Sequence, residues 1–151
     1  MLGWSRSPKA IDGVQVFSGE AQFDEFLSST RVLVNLLPLT EATRGILNRD
    51  TLGKLRPEGY LISIARGGHL VEDDLIPMLD AGELAGATLD VFQVEPLPTD
   101  HPFWRHPRIT VTPHGSARTL RDESIAQIAG KIRAMEEGRP INGIVDPVRG
   151  Y

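Results

Sequence analysis

The chain has 151 residues, 40% of them hydrophobic and 24% charged, with a net charge of −4 and no cysteine. A chain of that size hides one sizeable core, so one domain is the default expectation, and no apolar run approaches the roughly 20 residues that span a bilayer. The acidic balance argues against nucleic-acid binding through dense positive charge, and the lack of cysteine excludes disulfides and thiolate chemistry.

Met1 to Lys9 carries no long apolar stretch of the kind that marks a secretory signal, which points to the cytoplasm. In chain order, Met1 to Ser5 reads as the tail of a strand, and Val14 to Phe17 as a short second strand after a turn region at Pro8 to Gly13. Phe23, Phe26 and Leu27 recur at helical spacing within Gln22 to Ser29, and Arg31 to Leu37 is an apolar run that predicts a buried strand. Asn48 to Leu55 predicts a helix with Leu52 and Leu55 on one face, capped by Asn48 or Asp50 and ended by Pro57 and Gly59. Tyr60 to Ala65 predicts the next strand.

Glu72, Asp73 and Asp74 open a further helix, with Leu75, Met78 and Leu79 facing inward and Gly82 or Gly86 as its end. Pro77 predicts a late start or a local kink, because proline has no amide hydrogen and is tolerated only in the first turn. Ala87 to Phe92 is another strand. A proline-rich loop leads to a strand at Ile109 to Thr112, and a helix from Asp122 to Glu137 completes the series. Strands alternating with helices imply an α/β fold with a parallel sheet.

Arg66, Glu95 and His114 each follow the carboxyl end of one of these strand-like runs. Open α/β sheets bind ligands outside the carboxyl ends of their strands, so the three polar groups face one crevice suited to a small anion. Taken singly, His114 reads as an ordinary loop residue, Glu95 as a solvated carboxylate and Arg66 as a turn cap beside Gly67 and Gly68. Position in the series is what joins them. His69, His101 and His106 read as structural or surface groups, and no spacing among them resembles a zinc site.

Five segments carry a resemblance. Trp4-Ser5-Arg6-Ser7, Val34 through Thr40, Ser63-Ile64-Ala65-Arg66-Gly67, Leu89 through Pro98, and Thr112-Pro113-His114 stand in that order over nearly the whole chain. Together they resemble the D-isomer-specific 2-hydroxyacid dehydrogenase family, in its glyoxylate/hydroxypyruvate reductase A-like branch. Gly138-Arg139-Pro140 through Arg149-Gly150-Tyr151 is similar to the tail of that branch.

The resemblance implies a Rossmann-like, doubly wound parallel sheet that is incomplete. Family members place a substrate lobe and a Gly-rich phosphate loop ahead of this region, and no G-x-G-x-x-G occurs here. The chain is therefore expected to be the carboxyl-terminal portion of a reductase, with Met1 a truncated or misassigned start and the first strand missing. That strand is central in the order 3-2-1-4-5-6. Residues 1–121 then form a partial NAD(P)-binding domain, and residues 122–151 a helix and tail that pack on the absent lobe. Backbone left unpaired at the missing strand predicts a fragment that is unstable, swapped or dependent on a partner.

The family reaction moves a hydride from a reduced nicotinamide to the carbonyl carbon of a 2-oxo acid, while a proton goes to the carbonyl oxygen. Histidine suits that proton, with an unperturbed pKa of about 6.5. By resemblance His114 donates it, Glu95 orients the imidazole and balances its charge, and Arg66 grips the substrate carboxylate. Ser5, Arg6 and Ser7 stand where enzymes preferring the unphosphorylated cofactor carry an acidic residue, which favours NADPH, with NADH as the alternative. Leu37, Pro38, Thr43, Ile64, Ala65 and Asp90 fall where the family lines the nicotinamide and its ribose, and Arg66, His114 and Ser116 complete the cofactor set. Gly115-Ser116 departs from the family's usual apolar and small pair, which makes the backbone there more pliable.

The expected partners are a small 2-oxo acid, glyoxylate or hydroxypyruvate, and a second copy in a homodimer, with no nucleic acid, membrane or metal. Two rival readings stand beside the enzyme: a noncatalytic dimerisation or scaffold module that responds to dinucleotides, and an inactive truncated remnant.

Overall fold

A computed structural model describes residues 1–117 and 120–145. The tail motif at Arg149-Gly150-Tyr151 lies outside the described residues. Two units divide the chain after His114.

In the first unit, β1 (Leu2–Ser5) pairs in parallel with β2 (Gln15–Ser18). A second parallel sheet runs in the order β3 (Val32–Asn35), β4 (Gly59–Ser63), β5 (Leu84–Leu89), β6 (Ile109–Val111). In the 3-2-1-4-5-6 order of a dinucleotide-binding sheet, β2 and β1 take positions 3 and 2, and β3 begins the run from position 4. Among the described residues no strand occupies position 1, and the two sheets stand where one would otherwise be continuous. β3 is accordingly an edge strand, with Val32 and Val34 exposed.

The core follows from strand alternation. On β4 Gly59, Leu61 and Ser63 point inward. Leu61 lies opposite Leu33 on one side and Ala87 on the other. All three belong to one cluster with Leu75, Met78 and Leu79 of α3 (Glu72–Asp80), and Leu61 and the α3 trio are fully buried. Burying such a side chain stabilises the fold by about 1.5–3 kcal/mol. The tilted ring pairs Trp4–Phe23, 4.7 Å between centroids, and Phe17–Phe26, 5.9 Å, fasten the first two strands to α1 (Phe23–Ser28).

Several boundaries differ from the sequence-based expectations. The helix at Asn48 is the short α2 (Arg49–Leu52), and Asn48, not Asp50, caps it. Asn48 Oδ1 accepts the Thr51 N–H at 3.1 Å, and Thr51 Oγ1 accepts the Asn48 N–H at 3.1 Å, a reciprocal capping box. α3 does not start late: Pro77 sits inside it. Pro77 is on the exposed face, so water can serve the carbonyl that the missing amide leaves free.

β5 ends at Leu89, three residues before its expected limit, because carboxylates take the next backbone donors. The Asp90 N–H still reaches the Ser63 carbonyl at 3.0 Å. The Phe92 N–H goes instead to Glu95 Oε1 and the Gln93 N–H to Glu72 Oε1, each at 2.9 Å.

The second unit holds α4 (Arg121–Glu136). Gly138, with φ of +69°, ends it in a Schellman arrangement: the Arg139 N–H reaches the Ala134 carbonyl at 2.7 Å and the Gly138 N–H the Met135 carbonyl at 3.1 Å. Ile125, Ile128, Ile132 and Met135 form an exposed apolar stripe along α4. No described helix is long and apolar enough to cross a membrane.

Candidate active site

The strands of the larger sheet end in step. Asn35 lies opposite Ser63, Ser63 opposite Leu89, and Leu89 opposite Val111. The segments that leave these ends therefore emerge on one rim. A cleft of about 590 Å³ opens there, lined by Arg66, Glu95 and His114 together with Leu39, Leu70 and Phe92, within the usual range of small-ligand sites of about 300–1,000 Å³.

Arg66 leaves β4 in an extended conformation and precedes a 3-10 turn at Gly67–His69. What lets that turn approach the β5 exit is Gly67: a Cβ there would lie 1.9 Å from the carbonyl carbon and oxygen of Phe92. No other residue type fits. The close approach brings Arg66 to the loop that carries Glu95. The Arg66 guanidinium donates to the Ala65 carbonyl at 2.6 Å and is otherwise exposed, so it retains donors for an anion.

His114 follows β6 and Pro113. Its φ of +51° places it in the left-handed region, uncommon for a residue with a side chain, though histidine is among those that tolerate it. Thr112 supports the turn from below: its N–H donates to the Leu89 carbonyl at 2.9 Å and its hydroxyl to Oδ1 of the buried Asp90. The imidazole Nδ1 meets Glu95 Oε2 at 2.7 Å. An ionised carboxylate only accepts, so Nδ1 carries the proton and Nε2 is left for another partner.

Glu95 is held at both oxygens, by the Phe92 N–H at one and the His114 ring at the other. Its pKa lies below the ordinary carboxyl value. The hydrogen bond from His114 is the largest cause, followed by that from the Phe92 backbone. Burial, third in size, opposes the shift, and the nearby charges of His114 and Arg66 add smaller contributions that lower it. The carboxylate is thus ionised and acts on the imidazole as a fixed charge.

The family model for the D-isomer specific 2-hydroxyacid dehydrogenase NAD binding domain matches residues 1–116. The chain belongs to that family. A glyoxylate/hydroxypyruvate reductase A of Serratia proteamaculans is 56% identical over 148 residues, which make up 98% of this chain and 47% of the relative. The reductase of the same name from Yersinia enterocolitica is 52% identical over the same share. This chain therefore spans about half the length of the curated relatives it matches.

Among solved structures, a D-isomer specific 2-hydroxyacid dehydrogenase of Xanthobacter autotrophicus, crystallised with NADPH and MES, superposes with a TM-score of 0.94 at 43% identity. The match covers 99% of this chain and 62% of that one. An NADPH-dependent glyoxylate/hydroxypyruvate reductase of Sinorhizobium meliloti, crystallised with NADP and sulfate, gives the same TM-score at 41% identity, covering 99% of this chain and 49% of that one.

For this member of the dehydrogenase family the residues singled out from sequence divide as follows. Arg66, Glu95 and His114 line one cleft. Leu37 and Pro38 leave β3, Ile64 and Ala65 leave β4, and Asp90 leaves β5, all on the same rim. Thr43 is a brace for the first of these segments: its hydroxyl donates to the Pro38 carbonyl at 2.7 Å and accepts the Thr40 N–H at 2.8 Å. Ser5 ends β1 and Arg6 and Ser7 follow it, all outside the cleft lining, with the Ser5 hydroxyl bonded to the Ser7 carbonyl at 2.7 Å. Ser116 belongs to the second unit.

The sequence reading gave no site role to Arg44 and Gln93, which line the cleft, or to Asn35 and Ser63, which it took only as parts of longer segments. Asn35 Oδ1 accepts the Leu37 N–H at 3.2 Å. Asn35 Nδ2 and Ser63 Oγ are buried at the strand tips with no partner among the described residues. A polar residue inside a predicted strand run is the signal that could have found these two. Among the described residues no group of three or more His, Cys, Asp or Glu could hold a metal ion.

Proposed function

We propose that, in an enzyme of the relatives' full length, this cleft reduces a small 2-oxo acid, glyoxylate or hydroxypyruvate, to the 2-hydroxy acid with NADPH. The observation that carries the reading is the placement of a guanidinium beside a carboxylate–imidazole dyad at the carboxyl ends of a parallel sheet.

The chain's residues fit the cofactor in part. Leu37, Pro38, Ile64 and Ala65 give an apolar rim for a nicotinamide ring. Ser5, Arg6 and Ser7 give hydroxyls and a cation, with no carboxylate among them, for an adenosine 2′-phosphate. The pyrophosphate finds no Gly-rich loop in these 151 residues. When bound, the reduced nicotinamide supplies the hydride. Arg66 holds the substrate carboxylate and so fixes which face of the carbonyl is presented. His114 Nε2 gives its proton to the carbonyl oxygen, and Glu95, ionised and bonded to Nδ1, offsets the imidazolium charge.

Residues 122–151 are read as packing on the substrate lobe, which the apolar stripe of α4 supports. A homodimer in the cytoplasm completes the reading, on the family resemblance.

The test is a chimera in which these 151 residues replace the corresponding half of the Serratia relative, assayed by NADPH oxidation with glyoxylate. His114→Ala should lower kcat by about 10²–10⁴, the usual worth of a positioned acid. Arg66→Gln should act mainly on KM. A His114→Ala chimera as fast as its parent would refute the assignment. Saturable NADPH binding by the 151-residue chain, read by fluorescence, counts against the rival noncatalytic module, and association of copies without any binding counts for it.

A further inference from the structure

Glu72, Asp73 and Asp74 together open α3, and all three suit the positive end of the helix dipole. Asp74 also turns to accept the Arg49 N–H at 2.9 Å, but Glu72 is the one that reaches toward the cleft. Its Oε1 accepts the backbone N–H of Gln93 at 2.9 Å, and its Oε2 lies 3.9 Å from Nε2 of His101. The side chain is only 17% exposed.

Gln93 starts the turn that ends in Glu95. Its own side chain donates to the Leu70 carbonyl at 2.9 Å, and the Phe92 carbonyl just before it is seated against Gly67. The turn is therefore fixed at its entrance by three contacts: Gly67 behind Phe92, Leu70 at the Gln93 side chain, and Glu72 at the Gln93 backbone. Glu72 and Leu70 flank Val71 at the start of α3, so the second and third contacts tie the turn to that helix. At the exit, Glu95 reaches back to the Phe92 N–H with one oxygen and out to His114 with the other. A carboxylate meeting two donors in two directions holds that geometry only while the backbone beneath it is fixed.

We propose that Glu72 is a positioning residue for the Glu95–His114 dyad, acting through the Gln93 N–H to hold the turn that aims Glu95 at the imidazole Nδ1. Its importance to the reaction rests on the reading of His114 as the proton donor. Its effect on the dyad can be seen without any turnover, because the hydrogen bond at one ring nitrogen selects the tautomer of the other.

The experiment uses the 151-residue chain. Long-range nitrogen–proton NMR reads which nitrogen of neutral His114 bears the proton, and carboxyl carbon NMR follows the titration of Glu95. Glu72→Gln keeps an acceptor of the same reach, Glu72→Asp keeps the charge but is one methylene short, and Glu72→Ala removes both.

The parent and Glu72→Gln should hold the proton on Nδ1, with Glu95 titrating below the ordinary carboxyl range. Glu72→Asp and Glu72→Ala should lose the Nδ1–H preference, and Glu95 should titrate back up toward the ordinary value. Should Glu72→Ala fail to fold, the Asp and Gln variants decide the matter alone. A folded Glu72→Asp chain with the parent's tautomer and titration overturns the proposal, as does a Glu72→Gln chain that behaves like Glu72→Ala. Glu95→Ala separates the two readings. If it leaves the tautomer unmoved, the dyad itself is wrong and both readings fall. A tautomer that follows Glu95 and ignores Glu72 overturns the positioning role alone.

Discussion

Replacing Gly67 with alanine puts a methyl carbon 1.9 Å from the carbonyl carbon and oxygen of Phe92 and 2.6 Å from the amide nitrogen of Gln93. Ordinary contact begins at 3.4 Å, and the three nearest atoms are all backbone, so no swing of a side chain relieves them. Overpacking costs about 1–3 kcal/mol where side chains can rearrange. A clash of backbone with Cβ belongs at the top of that range, about 3 kcal/mol. Trp4 and Trp104 both lie in the first unit, so a urea titration followed by tryptophan fluorescence reports on that unit. With a denaturant slope of about 1–3 kcal/mol per molar, the midpoint should fall by about 1 M or more. Gly82→Ala is the control. Its φ is +73° with nothing within 4 Å of the added carbon, so it meets only the left-handed backbone cost of about 1–2 kcal/mol. If Gly67→Ala unfolds at the midpoint of Gly82→Ala or of the parent, the close approach that joins Arg66 to the Glu95 loop is wrong.

Two further outcomes follow from the packing and the charges. Leu61→Ala empties the centre of the first unit's core, where Leu61 is fully buried, and should cost about 2–5 kcal/mol in the same urea experiment; a loss below about 1 kcal/mol would contradict the described core. Because the pKa of Glu95 is lowered from 4.5 in the folded chain, the stability it contributes is present above pH 4.5 and fades as pH falls through the folded-state value. The stability gap between the parent and Glu95→Gln should therefore close on acidification, and carbon NMR should show Glu95 titrating below 4.5, with an upward return in His114→Ala; titration at or above 4.5 in the parent would count against the ion pair.

The parallel α/β fold was legible because long apolar runs and helical spacings alternate along the chain, and the three cleft groups were legible because each stands just past such a run. Glu72 was not. In sequence it is one of three consecutive acids at a helix start, and nothing separates the one that turns toward Gln93 from the two that do not. The true end of β5 was hidden for a related reason. Asp90, Val91 and Phe92 look like strand, and it takes the side chain of Glu95, three residues on, and that of Glu72, from another element, to withdraw the amides of Phe92 and Gln93. Of the two outcomes Pro77 allowed, a late start of α3 did not occur, because a proline on a wet helix face is tolerated at places where a buried one would not be.

The left-handed backbone at His114 decides which replacements can interrogate it cleanly. Asparagine occupies that region readily, whereas a β-branched residue such as valine is a steric outlier there. An asparagine variant thus removes the imidazole while leaving the corner intact, and a valine variant would confuse loss of the proposed proton donor with a refolded loop.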